Sequence, residues 1–109
     1  MATAAETNVF LTQVKTALTS HNYKILDKRW KYLDTLAQLG IIEQDVIDDL
    51  MNLTVSENWS KEPDKDPKFP GDVWQCKKQL HGVCIYIKLK ILSSPSGKLL
   101  VMSYHIDGM

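Results

Sequence analysis

A chain of 109 residues, 44% hydrophobic and 24% charged, has room for one small domain around one core and not for two. No apolar run approaches the ~20 residues that span a bilayer, and "MATAAETNVF" lacks the basic-then-apolar order of a secretory signal, so a cytoplasmic protein without a membrane partner is expected. The formal net charge of zero conceals an asymmetry: residues 1–60 carry five basic and eight acidic side chains, residues 61–109 carry eight and five, and no acid falls between Val73 and Ile106.

The first half reads as helical. In "AETNVFLTQVKTALTSHN", Phe10, Val14, Ala17 and Leu18 recur at helical spacing, with Thr7 as the expected N-cap. "YKIL" forms a short extended piece. "DKRWKYLDTLAQLG" follows, with Asp27 placed to cap, Trp30, Leu33, Leu36, Ala37 and Leu39 as its apolar stripe, and Gly40 as terminator. A third helix is expected over "EQDVIDDLMNL", turning Val46, Ile47, Leu50 and Met51 inward. Thr54 and Glu57 then have the spacing of a capping box for one more short turn. "SKEPDKDPKFPGD", with three of the four prolines, reads as a surface loop.

From Val73 the period changes to two. "VWQCKKQL", "VCIYIKLKIL" and "KLLVMSYHI" read as three strands of an antiparallel meander joined by "HG" and "SSPSG". The expected fold is a single α+β domain over residues 1–109, with N-terminal helices packed on one face of a small antiparallel sheet.

Register follows from the pattern. A two-residue turn at His81-Gly82 sets Leu80 opposite Val83, and so Trp74 opposite Leu89, Cys76 opposite Ile87 and Lys78 opposite Ile85. On the other face Lys77 meets Tyr86 and Gln75 meets Lys88. Placing Leu100 opposite Leu89 buries Leu100, Met102 and Tyr104 and keeps Ser103 and His105 out. The wet face then collects Gln75, Lys77, Tyr86, Lys88, Ser103 and His105. Cys76 and Cys84 fall on opposite faces, and no disulfide between them is expected.

Lysines on a strand commonly do no more than solvate it and block edge pairing. No zinc spacing, phosphate-binding glycine loop or nucleophile elbow is present, and no metal or other cofactor is expected. A thiol nucleophile at Cys84 beside His105 is a weaker alternative. Lysines, tyrosine, glutamine and histidine without carboxylates suit a phosphodiester. Metal-free RNA cleavage requires removal of the 2′-OH proton, stabilisation of added charge on phosphorus and protonation of the leaving 5′-oxygen. Lysine supplies the second need, and histidine exchanges a proton near neutrality. Tyrosine and glutamine orient the phosphate or contact a splayed base.

The segments "LTVSENWSKEPDKD", "GDVWQCKKQLHGVCIYIKLKI" and "VMSYH", from Leu53 to His105, resemble the MqsR family of type II toxin–antitoxin ribonucleases. The most specific part is "VWQ…G…IYIKLKI". The resemblance implies a RelE-like fold, metal-independent and sequence-selective cleavage of single-stranded mRNA, and inhibition by a cognate antitoxin protein, with DNA contacted only through that antitoxin. It implies catalytic positions at Lys61, Gln75, Tyr86 and His105, the last a departure from those members that carry lysine there. Lys77 and Lys88 are added as phosphate contacts on register alone. His105 is then the general acid, Lys61 and Lys88 stabilise charge, Gln75 orients, and Tyr86 contacts phosphate or base. The acceptor of the 2′-OH proton stays open, since Lys61 or Tyr86 would need a depressed pKa. The alternative is a noncatalytic RNA- or protein-binding module of the same fold.

Overall fold

The alternation that begins at Val73 forms three long strands in the computed structural model, which describes residues 2–64, 71–92 and 97–109. The elements run α1 (Ala4–Thr19), β1 (Tyr23–Ile25), α2 (Trp30–Leu39), α3 (Glu43–Met51), β2 (Ser60–Pro63), β3 (Asp72–Leu80), β4 (Val83–Ile91) and β5 (Leu99–Ile106). The α+β class is as expected. The sheet, however, has five strands among the described residues rather than three, in the order β1-β5-β4-β3-β2, and it is mixed because β1 runs parallel to β5.

Both additions are edge strands. Ser60–Pro63, expected as loop, pairs antiparallel with β3. Pro63 is tolerated at the end of an edge strand, where its missing N–H removes no central ladder bond. The middle of the Pro/Asp-rich segment, residues 65–70, and most of "SSPSG", residues 93–96, lie outside the described residues.

Helix ends follow local chemistry, though not always at the expected residue. Thr3, rather than Thr7, caps α1: its hydroxyl accepts from the Glu6 N–H at 3.1 Å, and the Glu6 carboxylate accepts from the Thr3 N–H at 3.3 Å. Thr7 is buried within the first turn. Asp27 does not cap α2, whose N-cap is Arg29 without a side-chain bond. Gly40 ends α2 at φ 66°, a left-handed conformation that glycine adopts without Cβ strain. Thr54 and Glu57 bond, N–H to carboxylate at 2.9 Å, and close the short turn expected there.

One core lies between the sheet and helices α1 and α3. Phe10, Leu11, Val14, Ala17 and Leu18 from α1 and Val46, Ile47 and Leu50 from α3 pack with Trp74, Cys76, Ile85, Ile87, Leu89, Leu99, Val101 and Tyr104. Phe10 stacks on Trp74, with centroids 4.3 Å apart, and meets the edge of Trp59. Asp49 of α3 ties this layer to the sheet by accepting from the Tyr104 hydroxyl at 2.5 Å and meeting His81 Nε2 at 2.8 Å.

Helix α2 departs from expectation. Its sequence offers two apolar stripes, and the one buried contains Tyr32 and Thr35, with Leu36 and Leu39 partly covered. Trp30 and Leu33, expected inside, are 64% and 53% exposed, and Ala37 is also exposed. The reason lies on β5, where β1 pairs only with Leu99 to Val101 and leaves the rest of the strand edge open. Thr35 Oγ1 accepts from the Ile106 N–H at 2.9 Å, and Arg29 Nη1 donates to the Met102 carbonyl at 2.8 Å. Backbone groups must find partners, so the face carrying Thr35 wins.

Among the described residues no helix is long and apolar enough to cross a membrane.

Candidate functional site

The β3–β4 hairpin turns through His81 (φ 53°) and Gly82 (φ 83°), both in the positive range that a type I′ turn requires. That turn gives the expected register throughout: Leu80 meets Val83, Lys77 meets Tyr86, and Gln75 meets Lys88. Both cysteines are free, Cys76 buried on the core face and Cys84 half-buried.

The β4–β5 pairing differs from expectation. Tyr104 lies opposite Ile87 rather than Ile85, and Leu89 faces Val101 rather than Leu100. A bulge between Lys88 and Leu89 leaves Met102 as an extra residue on β5. Leu99, Val101 and Tyr104 are buried in consequence, whereas Leu100 and Met102 are only half-buried. The extra residue corrects parity partway along β5. Ser103 therefore lies opposite Lys88 and His105 opposite Tyr86, on the expected face.

Five of the seven residues singled out for the site thus converge. Tyr86 donates its hydroxyl proton to Gln75 Oε1, which leaves the Gln75 amide NH₂ as a donor. The Tyr86 and His105 rings lie 5.3 Å apart at 47°. His105 Nδ1 is 2.9 Å from the Ile106 carbonyl oxygen. A carbonyl only accepts, so Nδ1 carries the hydrogen and Nε2 is the nitrogen free to exchange a proton. Tyr86, Lys88, Ser103 and His105 line a cavity of ≈ 610 Å³, and Lys88 makes no ion pair among the described residues.

Two residues are placed differently. Lys77 shares the face but is exposed, pairs with Asp107 at 3.2 Å, and lines a separate hollow with Ser60, Gln75 and Tyr86. Lys61 is on the opposite side of the sheet. It pairs in register with Trp74, a core residue, lies 5.6 Å over that indole, and bonds Glu6 of α1. The structure does not bring Lys61 to Tyr86 and His105. The cause is register: Ser60, not Lys61, stands beside Gln75.

Proton affinities bear on the open question of the base. Burial raises the Tyr86 phenol above its ordinary value, Glu62 and Asp107 add to the rise, and Lys77 opposes them. The hydrogen bond to Glu6 raises Lys61 as well. Neither has the depressed pKa a base would need.

Lys90, which alternation also assigns to the wet face, is fully buried there. Its ammonium meets Asp64 at 2.6 Å, and the Asp64 N–H bonds the Gly71 carbonyl at 2.9 Å. The cavity has another wall that the sequence reading assigned to structure only: Lys28, Arg29, Trp30 and Lys31, the link from β1 into α2. The signal was the run "KRWK", three cations around an aromatic.

Among the described residues no group of three or more His, Cys, Asp or Glu is arranged to hold a metal ion. Comparison with protein-family models, with curated proteins and with solved structures finds no match for the chain.

Proposed function

We propose that the chain is a metal-independent endoribonuclease acting on single-stranded mRNA, of the MqsR kind that its sequence resembles, on a RelE-like variant of the α+β fold. The observation that carries the reading is the convergence of Gln75, Tyr86, Lys88, Ser103 and His105 from three adjacent strands onto one face. In this reading the 2′-oxygen attacks phosphorus, its proton passing to solvent water, and the bond to the 5′-oxygen breaks. Lys88, the Gln75 amide and the Tyr86 hydroxyl, its proton turned from Gln75 Oε1 to the phosphate, meet the charge that develops on the nonbridging oxygens. His105, charged, donates from Nε2 to the departing 5′-oxygen. Lys61 takes no direct part. An antitoxin that inhibits the enzyme and a cytoplasmic setting belong to the same reading.

The displacement of Lys61 favours a second reading, a noncatalytic module that binds RNA or protein through the same face. Incubation of a defined RNA with the purified chain in EDTA separates the two. Fragments ending in 2′,3′-cyclic phosphate and 5′-hydroxyl are expected; intact RNA bound to the protein would favour the module.

A further inference from the structure

The wall of the cavity facing Lys88 is the β1–α2 link. Lys28, Arg29 and Lys31 line it together with Lys88, and among the described residues no carboxylate lines it, although the chain holds equal numbers of acidic and basic side chains. Trp30 lines it too and is 64% exposed, whereas Trp59 and Trp74 are buried. Its exposure follows from the choice of face on α2, which spends Tyr32 and Thr35 on β5. Arg29 is fastened to the Met102 carbonyl at the bulge, which sets its guanidinium next to the strand that carries Ser103 and His105. The Lys31 ammonium sits 5.9 Å from the Trp30 ring centroid. Cations that follow a backbone, combined with an aromatic plane for a base, are the chemistry that holds single-stranded nucleic acid. A protein-docking centre is depleted in lysine instead.

We infer that Lys28, Arg29, Trp30 and Lys31 form a substrate-recognition arm. Trp30 stacks on an unpaired base flanking the scissile phosphate, and the three cations hold neighbouring phosphates. The inference rests on the ribonuclease reading for its substrate class, single-stranded RNA, and adds where the flanking nucleotides lie.

Binding and cleavage are measured separately. The full chain is titrated with a short dye-labelled single-stranded 2′-O-methyl RNA, which lacks the attacking hydroxyl; affinity is read from the anisotropy of the dye, and tryptophan emission and iodide quenching are followed in parallel. Trp30 dominates the iodide response because the other two indoles are buried. Binding is expected to shield Trp30 from iodide. Trp30→Ala should weaken affinity about tenfold, with Trp30→Phe keeping most of it. The pair Lys28→Ala with Lys31→Ala should lower the salt slope of log affinity by about 1.4. Circular dichroism checks that these exposed substitutions leave the fold intact.

Unchanged affinity in Trp30→Ala, with unmodified RNA still cleaved by the wild type, overturns the arm and leaves the ribonuclease reading standing. Trp30-dependent binding without any cleavage supports the arm and removes the catalytic reading. No binding overturns the arm. Iodide shielding that exists before RNA is added and disappears on dilution marks a self-association surface and also overturns it.

Discussion

Tyr86 and His105 are direct cross-strand partners, with ring centroids 5.3 Å apart, although nineteen positions separate them in the chain. The pairing places a phenol and an imidazole side by side on one face of the sheet. Tyr86→Phe and His105→Ala are each expected to lower RNA cleavage by about 10²- to 10⁴-fold with little change in thermal midpoint. Single-turnover cleavage with a parallel melting curve checks this. Full activity in both variants would remove these residues from the chemistry.

Lys61 provides the sharpest contrast between resemblance and geometry. Its ammonium bonds Glu6 and lies over Trp74 on the core side of the sheet. Lys61→Ala should therefore leave the cleavage rate within about twofold, far below the effect of losing a group that touches the reacting phosphate. A loss comparable to that of His105→Ala would show that β2 moves on binding RNA.

Tyr32 has a hydroxyl buried without a hydrogen-bond partner among the described residues, and burial pushes its pKa up to about 12. A buried polar group left unpaired costs free energy, so Tyr32→Phe is expected to stabilise the protein by about 1 kcal/mol. Urea titration of both proteins reads the difference directly. Destabilisation by a similar amount would mean that the hydroxyl has a partner.

Glu57 predicts an acid response. Burial opposes its ionisation, but the Lys78 ammonium at 2.9 Å and the Thr54 N–H at 2.9 Å outweigh this and hold its pKa below the ordinary 4.5. In the window below that value the unfolded chain binds the proton first, so stability falls as pH falls towards the folded-state pKa. Glu57→Gln should flatten this part of the curve. Melting temperatures between neutral pH and strongly acid pH test it, and an unchanged acid slope would exclude Glu57 as a contributor.

Much of the site was legible because period-two alternation states the face of every residue within one strand. The His81-Gly82 turn then carries that parity from β3 to β4 without error, which is why Gln75, Lys77, Tyr86 and Lys88 were placed together from sequence. Ser103 and His105 were assigned to the right face by a register that was itself displaced, since Tyr104 pairs with Ile87. The bulge at Met102 rescued their parity while reversing that of Leu100 and Leu99. An inserted residue of this kind leaves no mark in an alternating pattern.

What the chain determines by itself is local: helix periods, the Thr3–Glu6 cap, the Gly40 stop and the hairpin turn all depend on neighbours within a few residues. Three decisions belong to the tertiary structure. Helix α2 turns Thr35 inward and Trp30 outward because the open edge of β5 needs hydrogen-bond partners. β2 adds to β3 in a register that sends Lys61 to the core side. β5 bulges to seat Leu99, Val101 and Tyr104 together. Each is settled by groups distant in sequence that compete for the same backbone partners and the same buried volume, and local periodicity carries no information about that competition.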